Sequence, residues 1–254
     1  MEPSDKKKYT YRPHPQVSAN QIAEYLGASS TRRKRIIRDA RFPKISVVAQ
    51  YDKAREGLVN FLDDDTRSFK HLATAQDHLE KRKLRVDATD WLKRDSDASI
   101  EAMEIFQSAY NKFGFAKFTC REVTGKQPLL DLWKTTKISV HLDLLLRKPV
   151  MGANHDNIGG AIFLFSRGET SNKARVERSK VIAGLIYTYC GNILKEMGVA
   201  DPSLCLAVDV FGKVTYKPPG TFAAKIKNVA DACEEIHARW KTIAPPDDYD
   251  GPEP

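Results

Sequence analysis

The sequence predicts an α/β protein in which a helical N-terminal region precedes a central mixed β-sheet flanked by helices. Three observations predict it. Apolar residues recur at three- and four-residue spacing as far as Phe113. The pattern then changes to strand-like alternation, and two apolar runs, 138–146 and 158–165, flank a segment carrying Gly152, Asn154, Asp156 and Asn157. Finally, a long helical pattern and a short apolar strand follow the second run. Period 3.6 marks helices, and short apolar runs bounded by turn residues mark strands.

The elements follow in order. Residues 1–16 are charged and proline-containing, and read as a flexible basic arm. Order is expected from Val17, with Ser18 or Asn20 as N-cap to a short helix carrying Ile22, Ala23, Tyr25 and Leu26, closed by Gly27. Ser29, Ser30 and Thr31 offer the next cap, before Arg32, Arg33, Lys34, Arg35, Ile36, Ile37 and Arg38; Pro43 closes that helix. Amphipathic helices are expected over 47–62, 69–85 and 99–113, the first interrupted by Asp63, Asp64 and Asp65 and the last stopped by Gly114. Residues 115–123 alternate as a strand and 125–128 turn the chain. The two apolar runs would form a hairpin, with Asp143 in the first. A helix over 173–198, strands at 204–210 and at the VTYKP stretch, and a helix over 222–240 complete the pattern. Residues 242–254 read as a disordered acidic tail. The expected organisation is thus an arm to residue 16, a helical basic region over 17–114, an α/β core over 115–241 and the tail. No internal repeat occurs.

Composition narrows the function. The chain has 254 residues, 41% apolar and 29% charged, with no apolar run long enough to span a membrane. The N-terminus has no apolar core of a secretory signal. The four cysteines are isolated and read as buried thiols of a cytoplasmic protein. Residues 1–60 hold 13 Lys+Arg against 6 Asp+Glu, so nearly the whole net charge of +8 sits in the first quarter. That asymmetry favours a polyanion, DNA first, over a face that is merely solvated. Arg32, Arg33, Lys34, Arg35, Arg38 and Arg41 are the candidate contacts. The segment 20–37 also resembles a helix-turn-helix, with Ala23 and Gly27 four apart; Arg33 stands where that motif usually has an apolar residue.

No Walker A loop, zinc-protease motif or nucleophile elbow occurs. One carboxylate draws attention: Asp143 in HLDLLL, an acid in an apolar strand. It could pair with His141, Arg147 or a helix N-terminus, or belong to a site. The dense aromatic set Phe106, Tyr110, Phe113, Phe115 and Phe118 reads as core rather than as a base-stacking platform.

The order of a hairpin with Asp143 on its first strand, a long helix and a buried strand resembles the PD-(D/E)xK nucleases. The opening VSANQIAEYLGASSTRRKR is similar to that of their RecB-like branch, and the helix with Lys180, Tyr187 and Tyr189 looks like the one carrying the branch's helical motif. The resemblance implies two carboxylates, one per strand, holding Mg²⁺ that activates water, and a lysine two residues after the second acid. Asp143 matches the first acid and metal ligand. The second is missing: GGAIFLFSR places Ala161 or Ile162 where the acid belongs, and Leu164 or Phe163 where the lysine belongs. The expectation is a nucleic-acid-binding protein whose nuclease site is inactive and which needs no cofactor. Two alternatives stand beside it. One is an active Mg²⁺-dependent nuclease in which Asp143 works with a migrated acid, Asp156 or Glu122. The other is a helix-turn-helix DNA-binding or protein-interaction subunit of a mobile-element or defence system, with a protein partner or a second copy of itself.

Overall fold

A computed structural model describes residues 7–45, 50–152, 154–167 and 172–253. In chain order the elements are β1 (Gln16–Ser18), α1 (Ala19–Gly27), α2 (Ser30–Arg41), α3 (Asp52–Asp63), α4 (Lys70–Lys83), α5 (Asp90–Phe113), β2 (Thr119–Glu122), β3 (Leu129–Leu130), β4 (Lys137–Ser139), β5 (Leu144–Pro149), β6 (Asp156–Leu164), α6 (Asn172–Ile193), β7 (Val199–Asp209), β8 (Val214–Tyr216) and α7 (Phe222–Trp240). The protein is therefore α/β: a helical N-terminal region followed by a mixed five-stranded sheet packed with helices. Two compact units divide it. The first holds Met1–Val48, Gln127–Val140 and Gly220–Pro254; the second holds Ala49–Lys126 and His141–Pro219. Among the described residues no helix is long and apolar enough to cross a membrane.

In the second unit the sheet order is β2-β5-β6-β7-β8. The β2–β5–β6 part is antiparallel, β7 lies parallel to β6, and β8 returns antiparallel. The central β6 has strands on both sides and is buried over most of its length, which explains its near-continuous apolar run. Leu144, Leu146, Ala161, Phe163, Leu206 and Val208 join one core with Leu58, Phe61, Met103, Phe106 and Phe113 from α3 and α5. Helix α6 packs on β6 and β7. The aromatic set is core, as its spacing implies: Phe106, Phe113 and Phe115 are buried, and Phe106 stacks on Phe113 with centroids 5.0 Å apart.

Local chemistry accounts for the helix ends. Ser18 accepts from Gln21 N at 3.1 Å while Gln21 Oε1 accepts from Ser18 N at 2.8 Å, a capping box that starts α1. Ser29 caps α2, accepting from Arg32 N. Thr89 accepts from Leu92 N at 3.2 Å and starts α5 nine residues before the expected Ser99. The apolar pattern hides that start because Trp91 and Leu92 are followed by the polar stretch 93–97. Gly114, at φ 77°, ends the helix.

Several elements differ from the expectation. The run 138–146 is two strands in two sheets: β4 pairs with β1 and β3, and β5 pairs with β2 and β6. The alternating stretch at 115–123 opens as a 3₁₀ turn, Phe115–Lys117, before β2. Asp201 and Pro202 sit inside β7 rather than between elements. Asp201 Oδ1 accepts from Ser203 N at 2.7 Å and its carbonyl accepts from Cys205 Sγ at 3.3 Å, which folds the strand into a bulge between the pairs Ile158↔Ala200 and Gly160↔Cys205. The part of the 47–62 helix at 47–49 lies outside the described residues.

That bulge explains a glycine. A Cβ on Gly159 would stand 2.2 Å from the carbonyl oxygen of Leu204, whereas one on Gly160 would meet only the end of the Leu142 side chain at 2.8 Å. Gly159→Ala should therefore lower stability by about 3 kcal/mol, and Gly160→Ala by about 1 kcal/mol, because a side chain can move and a backbone carbonyl cannot. Urea denaturation of the two variants measures this; equal losses would show that the bulge yields as easily as a leucine side chain.

Candidate functional site

Two places hold the candidate residues, one in each unit. In the second unit, Asp143 ends the approach to β5. Its backbone N–H donates to Ala161 O at 2.9 Å, so it lies beside the start of the β5–β6 ladder. Its carboxylate is 10% exposed and carries two contacts on Oδ2: Arg55 Nη1 of α3 at 2.5 Å and Phe163 N at 2.7 Å. Arg55 Nη2 also donates to Phe163 O at 3.2 Å, and its guanidinium lies 5.2 Å from the Phe165 ring. One guanidinium thus ties α3 to both hairpin strands. The partner is neither His141 nor Arg147 by hydrogen bond, nor a helix N-terminus; His141 acts on the carboxylate only through its charge.

Burial pushes the Asp143 carboxyl above its ordinary value, outweighing the pull of Arg55 and of the Phe163 N–H. Ala161 and Phe163 are buried in the core, so no carboxylate or ammonium approaches from β6. Asp156 pairs with Pro149 at the far end of the hairpin, and its nearest cation is Arg147 at 4.0 Å. Glu122 pairs with Leu144, the residue after Asp143, and its side chain is exposed. Among the described residues no group of three or more His, Cys, Asp or Glu could hold a metal ion. The residues present do not fit the two-carboxylate Mg²⁺ site that the resemblance implies.

A second buried carboxylate, Asp209, ends β7. It pairs with Arg175 of α6 and accepts from Gly212 N at 2.9 Å. Arg167 pairs with Glu101 and lies 4.5 Å from the Phe211 ring. Lys180 pairs with Glu177 at 3.2 Å, and Tyr189 is buried. These charges are internal ties of the unit. The four cysteines are free and buried, with Cys233 pushed up to about 12 by burial.

In the first unit, α1 and α2 are joined through Ala28 and Ser29, and both pack against α7. The six basic candidates of α2 divide into two groups. Arg32 Nε donates to Glu24 at 2.6 Å. Arg33 lies 5.0 Å from the Tyr25 ring, donates to Tyr25 O at 3.1 Å and pairs with Glu235 at 3.2 Å. This explains the basic residue at a normally apolar motif position: its charge packs on a ring and an acid of the facing helix. Arg41 is 6% exposed and donates through Nη1 to the carbonyls of Trp240 and Ile243, both at 2.8 Å. It holds the end of α7 and faces away from solvent. The second group lies on the outer side of the helix. Lys34 and Arg35 are exposed and Arg35 pairs with Asp39 at 3.7 Å, while Arg38 is half-buried, its Nε buried without a hydrogen-bond partner. With Ser29, Thr31 and Arg32 they line a cleft of about 510 Å³.

Sequence reasoning missed Arg55, which sits unremarkably among the polar residues of a helix 88 positions before Asp143. It also missed the ties made by residues 246–250. No sequence spacing could have found either, since both are contacts across long loops.

No protein-family model matches this chain, and no curated protein matches it in sequence.

The Asp143 geometry sets a pH dependence. Its folded value is raised, so the folded state holds the proton more readily than the unfolded chain does. Its contribution is full below about pH 4 and is lost as pH rises through the raised value. Wild type should therefore gain on Asp143→Asn as pH falls. Arg55→Met should deepen that slope and cost about 2 kcal/mol at neutral pH, below the range for a fully buried pair because Arg55 is 35% exposed. Denaturant melts of the three proteins between acid and neutral pH provide the measurement; parallel pH curves for wild type and Arg55→Met would rule out the tie described.

Proposed function

We propose that the protein binds nucleic acid through the outer face of α2, and that its second unit is a PD-(D/E)xK-like core without cleavage chemistry. The observation that carries the binding reading is the separation within α2. Arg32, Arg33 and Arg41 bond acids or carbonyls of the protein itself, while exposed Lys34 and Arg35 and half-buried Arg38 line one cleft along the helix. In a helix-turn-helix the second helix lies in the major groove with its N-terminal residues at the base edges. Here those positions are Ser30, Thr31 and Lys34, all exposed, with Arg35 and Arg38 following along the helix.

The core assignment draws support from element order. Helix α5, antiparallel strands β2, β5 and β6, helix α6 and a β7 parallel to β6 follow the layout that the hairpin, helix and strand pattern resembles. Asp143 holds the first-acid position in that layout. Its carboxylate is spent on Arg55 and Phe163 N–H, and the β6 positions opposite it are hydrophobic. A lone acid neutralised by a guanidinium has little to offer Mg²⁺.

Binding to short duplex DNA, titrated over a range of salt, tests the first part. Wild type should show a clear negative dependence of affinity on salt. Lys34→Ala/Arg35→Ala/Arg38→Ala should flatten the log–log slope by about 2 to 3, the number of phosphate charges lost. No binding at low salt would overturn the reading and leave a protein partner as the ligand of this face. Cleavage of DNA or RNA in Mg²⁺ or Mn²⁺ that Asp143→Ala abolishes would overturn the second part.

A further inference from the structure

The segment after α7 is acidic and by composition should be loose, as should the residues before β1. In the first unit they are held to each other. Lys8 N donates to both carboxylate oxygens of Asp250 at 2.8 Å, Tyr9 N donates to Asp250 Oδ1 at 3.1 Å, and the Tyr9 hydroxyl donates to Asp248 Oδ1 at 2.9 Å. The Tyr249 ring lies 4.9 Å from Phe42 and 5.7 Å from Tyr9. Arg41 grips the carbonyl of Ile243 at the segment's start. The composition argument fails here because aromatic burial and charge-assisted hydrogen bonds offset the ordering entropy of a short segment.

The path of that segment matters. Ile243 and Ala244 border the cleft of about 510 Å³ on the outer side of α2. Asp247 and Asp248 border a second cleft of about 700 Å³ that Arg35, Arg38 and Lys44 also line, together with Asp39, the acid that pairs with Arg35. Arg35 and Arg38 line both clefts, so the segment borders the same helix face that carries these two arginines. Asp247 is exposed and makes no ion pair among the described residues, so its charge stands across the second cleft from those cations without being bonded.

We infer that the acidic segment 243–253 is an autoinhibitory strap, a polyanion held in cis across the face formed by α2 and Lys44 that competes with nucleic-acid phosphates for Arg35, Arg38 and Lys44. The inference rests on the nucleic-acid reading of that face. Carboxylates held across a cleft from these side chains lower the local positive potential and must be displaced, or tolerated as repulsion, when a phosphate backbone arrives. The strap is anchored by Tyr249 and Asp250 and carries its competing charges at Asp247 and Asp248.

Full-length wild type, Asp247→Asn/Asp248→Asn/Asp250→Asn and Tyr9→Phe are compared for binding to a short fluorescent duplex DNA at about 100 mM salt. Thermal melting verifies that each variant is folded. The triple variant should bind about tenfold tighter and with a steeper salt dependence, since the two competing charges and the anchoring carboxylate of Asp250 are removed. Tyr9→Phe, which loses only the hydroxyl donor to Asp248, should bind severalfold tighter. Wild-type binding with no gain in either folded variant overturns the strap and leaves the basic face as the binding site. If the triple variant unfolds, Tyr9→Phe decides alone. Absence of binding by all three proteins at low salt overturns the nucleic-acid reading, and the strap falls with it.

Discussion

A carboxylate taken out of water must find compensation, and in the second unit the answer to Asp143 organises its surroundings. Its Oδ2 takes Arg55 from α3 and the Phe163 N–H from β6. Arg55 also reaches the Phe163 carbonyl and covers Phe165. A single ion pair thus sets the position of α3 over the end of the β5–β6 hairpin. The apolar contacts between α3, α5 and the sheet are non-directional and could slide; a charged fork with two acceptors cannot. Whether such a pair adds net stability over a hydrophobic substitute is a separate matter, because desolvation of the acid opposes it. Its contribution here is to specify one register and one approach of α3.

The same logic recurs at Asp95 and Asp209. Asp95 is buried, accepts from Tyr51 N at 3.0 Å and pairs with Arg82 at 3.1 Å. Asp209 takes Arg175 and the Gly212 N–H. In each case the acid accepts one backbone N–H and one arginine from a helix. Tyr51, at φ 67°, leads directly into α3, so the acceptor on Asp95 fixes that entry. The buried acids of this unit are therefore joints between helices and chain turns. A metal centre would need carboxylates converging on one point, and these lie on separate elements with their own cations.

Much of this architecture is legible in the residues, and the limits have physical causes. The helices at 19–27, 70–83 and 222–240 follow from apolar spacing, and the first from its capping residues as well. The buried β6 follows from an apolar run bounded by turn residues. The break at 140–143 was not legible, because Val140 and Leu142 continue the apolar alternation while the hydrogen-bond partners change from one sheet to the other. The start of α5 is hidden because polar residues 93–97 separate Trp91 and Leu92 from the later apolar pattern, and the cap signal is a single threonine. The bulge at Asp201 was read as an interruption because a proline beside an acid usually ends an element. Asp143 stands out in the sequence as an acid in an apolar strand, but its partner Arg55 lies 88 positions upstream. Order in residues 243–253 was invisible to composition, since it depends on Phe42 and Tyr9 being placed where Tyr249 can pack.

Charge in a sequence and charge on a surface are different quantities, and α2 shows by how much. The first 60 residues carry 13 Lys+Arg against 6 Asp+Glu, which suggests a broad basic face. Within α2, however, Arg32 and Arg33 meet acids, and Arg41 is turned inward to hold two carbonyls. Arg55 belongs to Asp143. What α2 leaves on its outer side is Lys34, Arg35 and the half-buried Arg38, and the acidic segment lines a cleft with the last two. Arginine suits the inward roles because its planar fork can stack on Tyr25 or grip two carbonyls while keeping its charge. On the proposed reading, a face with so few outward cations would make only a handful of phosphate contacts. Its affinity for a polyanion would then be set by small changes in local charge rather than by the net charge of the chain, and a short acidic segment would be enough to shift it.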